Sequence, residues 1–98
     1  MKLIVDDDAV LEIDDIADYI SQDSAKYAIK TLDEIYDKID LLKEHPKIGK
    51  KVPELNDENI RELQYKSYRI IYRLYEDYIR VETVFHGARD FNNVYQNQ

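Results

Sequence analysis

The feature that most constrains this chain is a change of hydrophobic period near residue 45. Ahead of it, Ala9, Ile13, Ile16, Ala17 and Ile20 recur at helical spacing, as do Ala25, Ala28, Leu32, Ile35, Ile39 and Leu42. Beyond it, Ile60–Tyr65, Tyr68–Tyr75 and Tyr78–His86 are rich in Tyr, Ile and Val, the residues that suit a pleated sheet. Lys2–Val5 reads as a further short strand, and Asp6–Asp8 as a helix entry with its acids at the positive end of the dipole. Ser21–Ser24 breaks the first helix, so two helices with a short connection predict an antiparallel hairpin. His45-Pro46 ends the second helix, because a residue before proline avoids the helical region. The expected fold is α+β: an N-terminal strand and a helix hairpin packed on one face of a mainly antiparallel four-stranded sheet.

The length of 98 residues predicts one domain over 1–98. There is no cysteine, which excludes disulfides and thiolate metal sites. With two histidines about forty residues apart, no metal or cofactor is expected. The start MKLIVDDD is too short an apolar run for a signal peptide or a membrane span, so a cytoplasmic protein is expected.

Charge divides the chain as the period does. Residues 1–46 carry thirteen acids against five lysines, whereas residues 47–98 carry nine basic residues against eight acids. Five of the last six cations are arginine, the residue whose planar fork suits phosphate or carboxylate. If Lys66-Ser67 and Glu76-Asp77 are two-residue turns, Tyr65 faces Tyr68, Leu63 faces Ile70, Arg73 faces Arg80, Ile71 faces Glu82 and Arg69 faces Val84. One sheet face then holds Leu63, Tyr65, Tyr68, Ile70, Tyr72, Leu74, Ile79, Val81, Thr83 and Phe85. The other holds Glu62, Gln64, Arg69, Ile71, Arg73, Tyr75, Tyr78, Arg80, Glu82, Val84 and His86. That second face, left open by the helices, would serve an anionic partner, or would be a solvated surface of Arg–Glu cross-strand pairs.

Several strings occur in a particular order: Asp15-Ile16-Ala17-Asp18-Tyr19-Ile20, His45-Pro46-Lys47-Ile48-Gly49, Val52-Pro53-Glu54-Leu55, Arg61-Glu62-Leu63, Tyr68-Arg69-Ile70-Ile71-Tyr72-Arg73 and Val84-Phe85-His86-Gly87-Ala88-Arg89-Asp90-Phe91. Together they resemble the RelE/ParE superfamily, the growth-inhibiting toxins of type II toxin–antitoxin modules that act in plasmid stabilisation and addiction. The resemblance implies a cognate antitoxin that wraps and neutralises the toxin. It also implies one of two targets: DNA gyrase for ParE-like members, or messenger RNA on the ribosome for RelE-like endonucleases. A degenerate member that binds antitoxin without toxicity is a third reading.

If the chain is a nuclease, the resemblance places Arg69, Arg89 and Tyr95 at the cleavage site, with His86 and Glu62 as proton-transfer groups and Glu54 as an alternative carboxylate. Attack by a ribose 2′-oxygen needs a base, an acid and cations for the phosphate. Arg61, Arg73, Arg80, Lys50 and Lys51 stand as binding candidates. The two lysines that RelE-like members carry before the YR pair are replaced by Ile60 and Glu62. This departure favours the ParE-like or the degenerate reading over the nuclease, and the VPE-L…REL and HGxRDF strings resemble ParE, whereas Tyr95 at the RelE-like spacing favours the nuclease; the reading leans to ParE.

Overall fold

A computed structural model describes residues 1–95. The chain runs β1 (Lys2–Val5), α1 (Asp7–Ser21), α2 (Ala25–Asp40) with a 3₁₀ turn at Leu41–Lys43, β2 (Lys50–Lys51), β3 (Ile60–Tyr65), β4 (Tyr68–Leu74), β5 (Tyr78–His86) and α3 (Phe91–Val94). Five strands form one mixed sheet in the order β1-β5-β4-β3-β2. The expected four strands thus gain β2, and β1 lies parallel to β5 while the other pairings are antiparallel. The loop around Gly49 hid β2 from the sequence, since two lysines carry no strand pattern. No helix among the described residues is long and apolar enough to cross a membrane.

The helix hairpin covers one face of the sheet. Ser24 caps α2 by accepting the Tyr27 N–H at 3.1 Å. Ala9 and Ile13 of α1 and Ile35 and Ile39 of α2 pack on Leu63, Ile70, Tyr72, Ile79, Val81 and Val84. Tyr72 is fully buried, and its hydroxyl donates to Pro46 O and accepts Gly49 N–H, both at 2.9 Å. A Cβ on Gly49 would lie 2.6 Å from Glu62 O and from the Tyr72 hydroxyl, so the backbone there approaches too closely for any other residue.

Both two-residue turns are present, and the register Tyr65↔Tyr68, Leu63↔Ile70 and Arg73↔Arg80 is the expected one. Lys66 achieves its turn with φ of 52°, in the left-handed region. The register of β5 then departs from expectation. A bulge makes Glu82 an extra residue, so that Tyr72 pairs with Val81 but Ile71 pairs with Thr83 rather than Glu82. Arg69 consequently pairs with Phe85 rather than Val84. Beyond the bulge the faces exchange: Val84 joins the helix-side core, and Phe85 moves to the arginine face.

The arginine face is not open. Val52, Ile60, Ile71, Phe85, Phe91 and Tyr95 form a second, smaller core there, with Leu55 and Val94 at its margin. Its cover comes from the loop after β2 and from α3, which Asp90 caps by accepting the Asn92 N–H at 3.2 Å.

Candidate functional site

Five residues from the sequence reading gather along β3, β4 and the end of β5. Lys50, Glu54, Glu62, Arg69 and His86 line a cleft of about 420 Å³. Its centre is Arg69, projected from β4 between two carboxylates. The guanidinium donates to Glu54 at 2.8 and 3.0 Å and to Glu62 at 2.7 and 3.2 Å. Beneath it lie the rings of Phe85 and Phe91, with centroids 5.6 and 5.1 Å from the guanidinium carbon. Glu62 is 5% exposed, so its charge depends on Arg69 for compensation. Glu54 is held below the usual carboxylate range, chiefly by its hydrogen bonds to Arg69, and Arg69 is in turn pushed up by Glu54 first. Arg69 is therefore a cation already matched by two anions.

His86 borders the same cleft but answers to a different neighbour. The bulge brings it opposite Tyr68, with ring centroids 5.5 Å apart in an edge-on contact. Its Nδ1 accepts the Ala88 N–H at 3.1 Å. In a neutral imidazole the proton then resides on Nε2, which makes the free nitrogen a donor rather than a base. The expected placement of His86 on the arginine face is thus corrected: the extra residue at Glu82 changes its side.

The remaining expected catalytic residues lie apart. Tyr95 sits at the other end of the second core, where its hydroxyl donates to Glu82 at 2.6 Å and accepts from Arg73 at 2.9 Å. Burial first, then the Glu82 carboxylate, pushes Tyr95 up to about 12, so its phenol stays protonated at neutral pH. Arg89 is exposed and lies outside the Arg69 cleft, lining a third place with Asp15 and Tyr19 of α1 that His86 also borders.

The binding candidates are similarly dispersed. Arg73 also approaches Glu82 at 3.3 Å. Arg61 donates to Gly49 O at 2.9 Å and to Glu58 O at 3.1 Å, and Lys51 reaches Glu58 at 3.4 Å. Arg80 Nε lies 3.3 Å from Asp6 Oδ1, a charge contact in which the buried N–H is not aligned for a hydrogen bond. Of the two readings of this face, the Arg–Glu pairing describes Arg69 and Arg73, but the pairs are mostly buried at the margin of the second core rather than solvated. Sequence patterning missed the aromatic bed under Arg69, because the parity of Phe85 was misread, and missed Gly49 as the residue that seats Tyr72. Among the described residues no group of three or more His, Asp or Glu could hold a metal ion.

The family model described as ParE toxin of type II toxin–antitoxin system, parDE, matches residues 3–91. Among solved structures, one titled "Chromosomal ParDE TA system from P. aeruginosa" is similar in fold, with a TM-score of 0.73 and 19% identity, covering 88% of this chain and 95% of that one. No curated protein sequence matches the chain significantly.

Proposed function

Because the chain belongs to the family of ParE toxins of type II toxin–antitoxin systems, we propose that it acts in the cytoplasm as a single-domain inhibitor of DNA gyrase, neutralised by an antitoxin encoded beside it. The observation that carries this reading is the state of Arg69. A nuclease needs that cation for the phosphate and a base within reach of the attacking hydroxyl. Here the guanidinium is spent on Glu54 and Glu62, and His86 presents a donor. Tyr95 and Arg89 stand elsewhere. A protein that inhibits by binding needs none of these groups assembled. The net charge of −7 also removes the long-range attraction that independent RNA binding would use.

Induced expression should arrest bacterial growth, and the product of the neighbouring open reading frame should rescue it. Plasmid isolated during arrest should have lost negative supercoiling, while primer extension should find transcripts intact. Codon-phased, translation-dependent cuts would instead establish the ribosome-dependent nuclease. Absence of any arrest would leave a degenerate antitoxin-binding member.

A further inference from the structure

The turn between α2 and β2 is held rigidly, yet its tip is not buried. The Tyr72 hydroxyl donates to Pro46 O and accepts the Gly49 N–H, so a fully buried side chain pins the backbone on either side of Lys47-Ile48. Within the turn the Ile48 N–H bonds His45 O at 3.1 Å, and the His45 N–H bonds Leu41 O at 2.9 Å. Gly49 has no room for a side chain, which fixes where the chain enters β2. Between these anchors Ile48 stands 52% exposed. It shares with His45, Pro46 and Lys47 an open cleft of about 520 Å³. Leu41 and Met1, whose amine donates to Lys43 O at 3.0 Å, are exposed on the same end of the molecule.

One exposed isoleucine needs no explanation on a folded surface. Here three exposed apolar side chains lie on or beside a turn that the core has already immobilised. Such a surface loses little conformational entropy when a partner covers it, which is what a binding anchor requires.

The rim gives the partner's charge. Residues 43–51 hold four lysines against one glutamate, in a chain whose net charge is −7. Lys43 and Lys51 have exposed partners in Asp40 at 2.8 Å and Glu58 at 3.4 Å, pairs that water screens. Lys47 forms no ion pair among the described residues. By contrast Arg69, Arg73 and Arg80 each already face a carboxylate of this chain. A phosphate backbone would satisfy Lys47 but give Ile48 no apolar contact, whereas an acidic protein surface can satisfy both.

We infer that this turn is the surface by which the protein engages its target, and that it docks an acidic segment of a protein bearing an apolar side chain. That side chain packs on Ile48 and Pro46 in the cleft, and the acidic groups around it meet Lys47 and its neighbouring lysines. The inference rests on the gyrase reading, since gyrase is the target to be tested.

The test is a supercoiling assay with purified gyrase and the full-length protein. Ile48→Asp should raise the concentration needed for half-inhibition by about 100-fold, because it removes the anchor and sets a like charge against the acidic segment. Lys47→Glu should raise it by about tenfold, whereas Asp23→Lys, in the exposed connection between α1 and α2, leaves it unchanged. Because Ile48 and Lys47 are exposed, urea denaturation of both variants should match wild type, which separates docking from folding. A photoreactive p-benzoylphenylalanine in place of Ile48 should cross-link to a gyrase peptide rich in Asp and Glu. Inhibition of wild-type strength by Ile48→Asp, or a cross-link to a basic peptide or to DNA, would overturn the inference and leave the gyrase reading intact. If the wild-type protein does not inhibit gyrase, the gyrase reading fails and takes this inference with it.

Discussion

The two faces of the sheet are held by different physics. The helix side is a continuous apolar core in which Ile35, Leu42, Ile70 and Ile79 are fully buried. The arginine side has a small apolar centre, and charged pairs surround it. An apolar core tolerates loss of one contact in proportion to the volume removed. A buried ion pair does not, because removing one partner strands the other charge. The arginine face should therefore be the more sensitive to single changes and the more forgiving of paired ones.

Arg69→Ala provides the largest test. It strands Glu62 and should cost about 4 kcal/mol, read from urea denaturation. Replacing both partners, Arg69→Met with Glu62→Leu, should recover most of that loss, whereas a double change as damaging as the single one would break the comparison. Ile35→Ala on the helix side should cost about 3 kcal/mol, and no partner substitution should rescue it.

Tyr95→Phe is smaller, about 1–2 kcal/mol, because it removes the donor to Glu82 and the acceptor for Arg73. It also carries a pH signature. The folded-state value of Tyr95 lies above that of a free phenol, so its stabilisation is complete below pH ~10 and is lost as pH rises toward about 12. Alkaline denaturation curves of wild type and Tyr95→Phe should therefore converge across that window. Glu54→Gln is the smallest, about 0.5–1 kcal/mol, since Glu54 is one-third exposed. Its folded-state value is lowered, so the contribution is present above the free-carboxylate range and fades as acid protonates it. The gap between wild type and Glu54→Gln should close in acid; a gap that widened there would contradict the pairing.

The same contrast explains how much the sequence revealed. The helix hairpin and three long strands were legible because their apolar residues repeat at 3.6 or 2 over enough positions to be read. Both turns were placed correctly from their flanking strands, even without an Asn-Gly signal. The arginine side was less legible because its parts are remote in the chain. Glu54 comes from a loop, fifteen residues before Arg69, and Phe91 and Tyr95 come from the C-terminal segment. Patterning along one strand cannot announce a cover supplied from elsewhere. Of the five catalytic candidates Glu62, Arg69 and His86 line one cleft, while Tyr95 and Arg89, beyond the end of β5, fall outside it; spacing along β5 counts residues, and the bulge inserts one that the count does not see.

That single inserted residue has a genetic corollary. β5 is a ruler with two phases, one before Glu82 and one after. Deleting Glu82 would close the bulge and leave Thr83, Val84 and Phe85 opposite Ile71, Ile70 and Arg69, whereas keeping the residue but flattening the bulge would send Phe85 toward the helices and Val84 toward the arginines. At this position a one-codon gap would cost the contacts of Glu82 with Arg73 and Tyr95 and spare the two faces of the strand.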